Sequence, residues 1–392
     1  MNVERSNRLQ KLPPYLFADL RRRMAEVRAK GVDVITLGIG DPDLPTPDPV
    51  VQELVRAVDD TQDPDRHRYG CDVPVAALPE AIQRFYQRRF GVTLATEQIC
   101  ISPGSKDAIA RLPMAVMNPG DIGIAPEPGY PTYNIGHTFA GGVTHYLPLL
   151  AENGWFPDFD SIPQHVRRQA KLLWLNYPNN PTTAVCDLNF YRRAVDFALQ
   201  HDILICNDLA YSENTYDGYV APSILAVDGA EECCIEFFSL SKAFSMTGWR
   251  IGFAVGHTGA VDGLRTVQNN IDNGELRGIQ FAAVTALDNA EALIAPINEV
   301  YRRRRDLVVK TLNGLGWNLT PPQGTLYLWV PVPAGFGGDS IAFAGHMLEQ
   351  AGVAVTPGIG FGEHGEGYFR ISLTYPDDVL AQAMQRLAEH LR

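Results

Sequence analysis

Short apolar runs alternate with longer amphipathic stretches through most of the chain from Val50 onward. The apolar runs occupy residues 99–102, 122–125, 172–175, 203–206, 234–238 and 251–256. Apolar strands separated by helices are typical of a mostly parallel sheet with helices packed against it. The pattern therefore predicts an α/β fold for the central part of the chain.

The two ends of the chain carry further elements. Apolar residues recur at helical spacing near the N-terminus, at Leu16, Leu20, Met24 and Val27, and a strand is predicted over residues 32–40. Towards the C-terminus the pattern predicts a helix over 299–315 and strands over 324–330 and 367–372. The basic run 302–305 on that helix is expected to face solvent. A chain of 392 residues exceeds the size of one growing hydrophobic core, so we expect two domains.

Lys242 lies between two of the predicted buried strands, in the stretch from Ser239 to Arg250. Burial and nearby cations lower the pKa of a lysine, and the neutral amine attacks aldehydes to form a Schiff base. The hydroxyls of Ser239 and Ser241 and the guanidinium of Arg250 suit a phosphate. An aldehyde and a phosphate on one cofactor indicate pyridoxal 5′-phosphate (PLP).

Two further charged residues interrupt apolar strands. Asp208 ends the run 203–206 at the edge where α/β sheets place ligand groups. A buried aspartate needs a cationic partner, and a protonated pyridine nitrogen is one. Arg370 stands alone among apolar neighbours and is costly to bury unless it meets an anion. A structural salt bridge is the alternative for Arg370.

Three loops offer further contacts. Residues 103–107 lead into a predicted helix whose free N–H groups form a weak anion site. Tyr130, between Gly129 and Pro131, offers a face for a planar ring, although most tyrosines simply pack. The glycines of the loop 38–47 allow a ligand to approach the backbone.

Composition excludes several classes of protein. The net charge of −12 disfavours nucleic acid as a partner. The charged N-terminus lacks a signal-peptide core, and no apolar run is long enough to span a membrane. Six scattered cysteines, none at metal-ligand spacing, fit a cytoplasmic protein. The G-x-G-x-x-G match at 360–365 precedes a predicted strand rather than a helix, so we reject a dinucleotide site.

Several motifs in the same order resemble the class I/II aminotransferases of PLP fold type I, and among them the LL-diaminopimelate aminotransferases. The shared motifs are PYLFA at 14–18, LGIGDPD at 37–43, PNNPT at 178–182 and TPGIGFG at 356–362. The resemblance implies a large PLP-binding domain over residues 50–285 with a mostly parallel sheet. It also implies a smaller α/β domain built from both termini, residues 1–49 and 286–392.

The resemblance further implies a role for each matching residue. Lys242 would bind PLP covalently and move the proton, and Asp208 would keep the ring nitrogen protonated. Arg370 would bind the substrate α-carboxylate. The other residues expected to bind PLP are Ser105, Lys106, Tyr130, Asn180, Tyr211, Ser239 and Arg250. Tyr15, Gly40 and Asn180 are expected at the substrate. Tyr69 would reach the phosphate of the neighbouring subunit, which implies a homodimer.

The sequence departs from the family pattern where the substrate would be selected. Val73 and Pro74 stand in place of a glutamate and a glycine, residues 273–277 differ from the usual Ser-Gly-Val-Phe segment, and Thr183 replaces a glycine. Two activities therefore stay open. The first is transfer of an amino group between an amino acid and a 2-oxo acid. The second is β- or γ-elimination, replacement or ring closure, for example on S-adenosylmethionine. A regulator is disfavoured, because no length is left for a DNA-binding domain.

Overall fold

A computed structural model describes residues 3–12, 16–71 and 74–390 of the chain. A seven-stranded sheet with strand order β2-β8-β7-β6-β5-β3-β4 forms its centre. Its strands are β2 (Ile99–Ser102), β3 (Ile122–Glu127), β4 (Val143–Pro148), β5 (Ala170–Leu175), β6 (Leu204–Asp208), β7 (Cys234–Ser239) and β8 (Gly252–Gly256). All neighbours pair in parallel except β8, which is antiparallel to both β2 and β7. The predicted α/β fold is confirmed.

Helices cover both faces of this sheet and connect the remaining elements. They are α1 (Asn7–Gln10), α2 (Leu16–Ala29), α3 (Asp48–Asp59), α4 (Ala77–Phe90), α5 (Ser105–Val116), α6 (Thr132–Ala140), α7 (Gln164–Gln169), α8 (Leu188–His201), α9 (Leu240–Ala243), α10 (Thr258–Asn269), α11 (Arg277–Asp288), α12 (Ala290–Gly314), α13 (Ser340–His346) and α14 (Asp377–His390). Local chemistry sets several ends. The Asp187 side chain caps α8 by accepting from the Phe190 N–H, and Gly91 ends α4 in the left-handed conformation.

Two small sheets bring the chain ends together. Strand β1 (Ile35–Thr36) pairs in parallel with β10 (Val353–Ala354), which follows a one-turn π-helix over Met347–Ala351. Strand β12 (Tyr368–Ser372) lies between β11 (Thr356–Pro357) and β9 (Tyr327–Pro331), antiparallel to both. Apolar side chains from β1, β9, β12, α12 and α14 share one buried cluster. The N-terminal strand therefore packs with the C-terminal third and is not part of the large sheet.

The segment 358–365 forms two short 3-10 turns and continues into β12. The helix required by a dinucleotide fingerprint does not follow this G-x-G-x-x-G match. In the part of the chain that the structure describes, no helix combines the length and apolarity needed to cross a bilayer.

The expectation that the basic run 302–305 faces solvent is wrong for two of its four residues. Arg304 and Arg305 are only 4% and 2% exposed. Arg304 donates to both carboxylate oxygens of Asp43, at 2.7 and 2.9 Å, and to Asp377 at 2.7 Å. Arg305 donates to Asp217 at 2.6 Å. These three acids come from three distant segments of the chain. The sequence of the run alone therefore could not predict that its arginines are paired.

We expect the substitution Arg304→Ala to lower the free energy of unfolding by about 2–4 kcal/mol, because it leaves Asp43 largely buried without its cation. Arg303→Ala is the matched control, since Arg303 also contacts Asp377 but its side chain is 58% exposed. That control should change stability by less than about 0.5 kcal/mol. Urea unfolding of the two variants measures both values, and equal losses would contradict the assignment.

Candidate active site

The carboxyl ends of three adjacent strands, β5, β6 and β7, meet at one edge of the large sheet. Asn176 follows β5, Asp208 ends β6 and Ser239 ends β7. The Asn176 side-chain amide donates to the Asp208 backbone carbonyl at 2.7 Å, and its oxygen accepts from the Asn180 N–H at 2.8 Å. Ser239 leads directly into α9, which carries Lys242. The sheet topology therefore brings Asn176, Asp208 and Lys242 to one edge, although Asn176 and Lys242 are 66 positions apart in the sequence.

The amine of Lys242 lies close to the glycine-rich loop of the N-terminal segment. Its Nζ donates to the Gly40 carbonyl oxygen at 2.8 Å. Desolvation lowers the pKa of Lys242 from its ordinary value, and the guanidinium groups of Arg370 and Arg250 lower it further. Tyr327 and Asp41 act in the opposite direction. The expected combination of burial and nearby cations is present, and it increases the fraction of neutral amine.

Asp208 is buried and receives two hydrogen bonds. The Tyr133 hydroxyl donates to Oδ2 at 2.9 Å, and the Ala210 N–H donates to Oδ1 at 3.2 Å. Burial raises the pKa of Asp208 to about 6, while both hydrogen bonds lower it by favouring the ionised form. No cation lies within 4.0 Å of this carboxylate in the residues that the structure covers. Asp208 therefore suits a protonated nitrogen on a bound ligand.

Sequence analysis missed Tyr133, which is held by a further set of contacts. Its ring stacks on Trp174 with centroids 4.8 Å apart, and the Trp174 indole N–H donates to His137 Nε2 at 2.9 Å. Burial lowers the pKa of His137 to about 4, so this ring is neutral and accepts at Nε2. His137 Nδ1 then donates to Thr144 at 2.8 Å. The only signal for Tyr133 in the sequence was its i, i+4 spacing from His137 on one helix face.

The start of α5 brings together groups that suit an anion. Gly104 precedes the helix at φ +88°, and Ser105 and Lys106 form its first turn. The Arg250 guanidinium donates to two backbone carbonyls, of Pro103 at 2.8 Å and Thr247 at 3.1 Å. Among the described residues no carboxylate lies within 4.0 Å of Arg250. A Cβ at Gly252 would lie 2.8 Å from the Ser105 nitrogen, so this glycine allows β8 to pack against the helix start. Free N–H groups, hydroxyls and an unneutralised guanidinium fit a phosphate.

Arg370 is 2% exposed and has no carboxylate partner among the described residues. Its Nη1 donates to the Asn180 side-chain oxygen at 2.7 Å, and its Nη2 donates to the Gly38 carbonyl at 3.0 Å. Its Nε is buried without a partner. The structural salt bridge considered above is therefore not present in this part of the molecule. The charge of Arg370 is available for a ligand anion.

Tyr327 is a second residue that sequence analysis missed. Its ring centroid lies 4.0 Å from the guanidinium carbon of Arg370, and its hydroxyl is 3.0 Å from the hydroxyl of Tyr211. Burial raises the pKa of Tyr211 well above its ordinary value, and the contact with Tyr327 raises it further. The Tyr211 hydroxyl therefore stays protonated and able to donate. Tyr327 links two residues that were predicted separately.

The remaining predicted residues lie at or beside the same edge, with exceptions. Ser239 is buried, and Tyr130 is half-buried with its ring edge-to-face against Tyr133 at 5.8 Å. Tyr69 is 64% exposed, and its side chain has no hydrogen-bond partner among the described residues. Tyr15 lies outside the described residues, as does Val73 of the departing segment.

The departures from the family pattern take three forms in the structure. Thr183 adopts φ +63°, the left-handed conformation that favours the usual glycine, so the turn keeps its shape with a β-branched residue. Glu275 is 8% exposed, and burial raises its pKa to about 7. Arg277 pairs with Asp63 at 3.0 Å. The Cys71 N–H donates to the Asn273 carbonyl, which joins this loop to the loop that carries Tyr69.

The geometry fits PLP at each of its polar groups. A buried amine, a carboxylate suited to a ring nitrogen and a phosphate-type pocket lie on one sheet edge, and the partnerless Arg370 lies beside them. Tyr211 and Asn180 supply hydroxyl and amide donors between these parts.

Comparison with known proteins gives a consistent picture. Residues 32–387 match the family described as aminotransferase class I and II. The chain is 48% identical to the LL-diaminopimelate aminotransferase of Desulforudis audaxviator over 388 residues, 99% of this chain and 98% of that protein. Substrate-bound BacF from Bacillus subtilis superposes with a TM-score of 0.93 at 35% identity, covering 99% of this chain and 98% of that one. A Thermus thermophilus aspartate aminotransferase mutant superposes with a TM-score of 0.91 at 30% identity and full coverage of both chains. The protein therefore belongs to the class I and II aminotransferases, with PLP fold type I and a dependence on PLP.

Proposed function

We propose that this aminotransferase moves the amino group of LL-diaminopimelate, or of an amino acid that resembles it, to a 2-oxo acid. The observation that carries this proposal is the 48% identity, over nearly the whole length of both chains, to a protein with that activity. The comparisons give no support to elimination, replacement or ring closure, the second activity left open by the sequence. The altered segments around Pro74 and Glu275 make the distal end of the substrate the part that most needs testing.

The proposed roles follow from the contacts of each residue. PLP, when bound, supplies an aldehyde that takes up the amino group and a ring that withdraws electrons from the substrate. Asp208, held by Tyr133 and the Ala210 N–H, keeps a proton on the ring nitrogen. The N-terminus of α5 with Lys106, Ser239 and Arg250 holds the phosphate. Asn180 and Tyr211 donate to the ring oxygen, and the ring of Tyr130 covers one face.

Arg370 binds the α-carboxylate of the substrate in this proposal. Its Nε has no hydrogen-bond partner, and no carboxylate of the described residues pairs with its guanidinium. A carboxylate binds a guanidinium through two parallel hydrogen bonds. The lowered pKa of Lys242 leaves its amine able to take a proton from the substrate Cα, which it would return to the carbon of the cofactor aldehyde group. The carbonyl of Gly40, which now accepts from Lys242, marks where that amine rests.

We further propose a homodimer in which Tyr69 completes the site of the partner. The support is the high exposure of Tyr69 and its position on a loop bonded to the segment 270–276, where Ile271 and Leu276 are also exposed apolar residues. The domain division at residues 49 and 285 is likewise a proposal, supported by the pairing of β1 with β10. A cytoplasmic location is proposed because all six cysteines are free thiols.

The amino donor is tested by adding amino acids to the PLP-loaded protein and following the absorbance of the cofactor. LL-diaminopimelate and glutamate should convert the cofactor from its aldehyde to its amine form, and a 2-oxo acid should restore it. Lys242→Ala should lower kcat by about 10³-fold, because the proton carrier is lost. Lys171→Ala, an exposed lysine on β5, is the matched control and should behave as wild type. Ammonia release without conversion of the cofactor would exclude transamination.

The pH dependence of cofactor binding tests Asp208. Its pKa of about 6 means that the carboxylate loses its charge as pH falls through this value, so the affinity of the cofactor-free protein for PLP should weaken below pH 6. Asp208→Asn should bind weakly and lack this component, which separates it from titration of the PLP phosphate. Tyr133→Phe removes a hydrogen bond that favours the ionised form. Its loss of affinity should therefore begin about one pH unit higher. A Tyr133→Phe profile that overlays the wild type would contradict the role of this hydroxyl.

Subunit mixing tests the contribution of Tyr69. Tyr69→Ala and Lys242→Ala should each be impaired alone, and random re-association of equal amounts should restore about one quarter of the sites. Hybrid dimers then contain one site with an intact Lys242 and an intact Tyr69 from opposite subunits. If Tyr69 served its own protomer, both sites of the hybrid would be defective and mixing would restore nothing.

A further inference from the structure

We propose that Tyr327 is a positioning residue that couples the substrate-carboxylate site at Arg370 to the cofactor-binding hydroxyl of Tyr211. The inference rests on the proposed roles of Arg370 and Tyr211. It assigns a new role to a residue of β9 that lies outside the four motifs shared with the family. One side chain does both: the ring acts on Arg370 and the hydroxyl acts on Tyr211.

The ring of Tyr327 holds the guanidinium of Arg370 without neutralising it. The guanidinium carbon lies 4.0 Å from the Tyr327 centroid and 4.8 Å from that of Phe361. Aromatic faces attract cations through their quadrupole, which carries no net charge. A carboxylate in this place would also stabilise Arg370 but would compete with the substrate. Two rings and two neutral oxygen acceptors therefore fix the guanidinium and leave its full charge for an incoming anion.

The hydroxyl of Tyr327 determines the direction in which Tyr211 donates. Each phenol has one hydrogen, and the two oxygens are 3.0 Å apart, so one of them is the donor. When Tyr327 donates to Tyr211, the hydrogen of Tyr211 is free for the ring oxygen of the cofactor. This arrangement also strengthens the Tyr211 hydrogen bond, because hydrogen bonds in a chain polarise one another.

Gly40 permits this placement. A Cβ at Gly40 would clash with the Tyr327 hydroxyl oxygen and would lie 2.6 Å from the ring carbon that bears it. The same glycine offers its carbonyl to Lys242. Tyr327 thus contacts three residues of the proposed site. Gly40 accepts the hydrogen bond of Lys242, Arg370 would bind the substrate carboxylate, and Tyr211 would donate to the cofactor. The loop 38–47, the neighbouring strand β12 and the segment that follows β6 therefore all approach this one side chain.

Two substitutions separate the two contributions. Tyr327→Phe keeps the ring and loses the hydroxyl. It should leave KM for the amino acid within about twofold of wild type, lower kcat by about tenfold, and raise the pH midpoint of the absorbance of PLP bound to Lys242 by about 0.5 unit. A donor to the ring oxygen stabilises the anionic form of that oxygen and so lowers the midpoint. Loss of the Tyr327 hydroxyl weakens the Tyr211 donor, and the midpoint therefore rises. Tyr327→Leu loses both groups and should in addition raise KM by about tenfold.

Two control variants and two control measurements accompany these substitutions. Tyr146→Phe, an exposed tyrosine on β4, should match wild type in every measurement. Tyr211→Phe should shift the midpoint in the same direction as Tyr327→Phe and by more. Thermal unfolding establishes that each variant is folded, and binding of propionate to the PLP-loaded protein reports on the carboxylate site even if the amino donor is wrongly assigned.

Several outcomes would overturn the proposal. An unchanged midpoint in Tyr327→Phe removes the hydroxyl role, and equal affinity for propionate in Tyr327→Leu and Tyr327→Phe removes the ring role. If Arg370→Lys leaves propionate binding and KM unchanged, the role of Arg370 itself is wrong, and the ring role falls with it. Weakened binding in Arg370→Lys together with wild-type binding in Tyr327→Leu rejects Tyr327 alone.

Discussion

The rest of the site depends on charged groups that are buried without an ionic partner among the residues that the structure describes. Asp208 and Arg370 are 5% and 2% exposed, and each is held by neutral groups where an opposite charge would ordinarily stand. Burial of such groups lowers the stability of the empty protein. The cofactor and the substrate carry the complementary charges, so binding them removes a cost that folding has already incurred.

The charged centre of this site could be predicted because each of its members interrupts an apolar pattern. Asp208 ends an apolar strand, Arg370 lies within another, and Lys242 lies between two predicted strands. A lone charge in such a place needs a partner. The parallel sheet could be predicted for the same reason, since its strands are apolar on both faces. What places these residues together is the strand order of the large sheet, which the apolar runs by themselves do not determine.

The residues that support the charged centre could not be found this way. Tyr133 and Tyr327 look like ordinary packing aromatics, and their hydroxyl partners lie 75 and 116 positions away in the chain. Arg304 illustrates the opposite error. It stands in a run of four arginines that resembles a solvated face, yet Asp43 and Asp377 reach it from remote segments. A local charge pattern carries no information about acids that arrive through tertiary folding.

The carbonyls of Gly38 and Gly40 receive the guanidinium of Arg370 and the amine of Lys242, respectively, and they are separated by a single residue. Insertion or deletion within this tripeptide would displace both acceptors at once. Its length is therefore fixed by geometry, whatever amino acid the enzyme handles. Divergence of substrate range on this scaffold therefore has to proceed through other segments, and the changed residues around Pro74 and Glu275 lie outside this tripeptide.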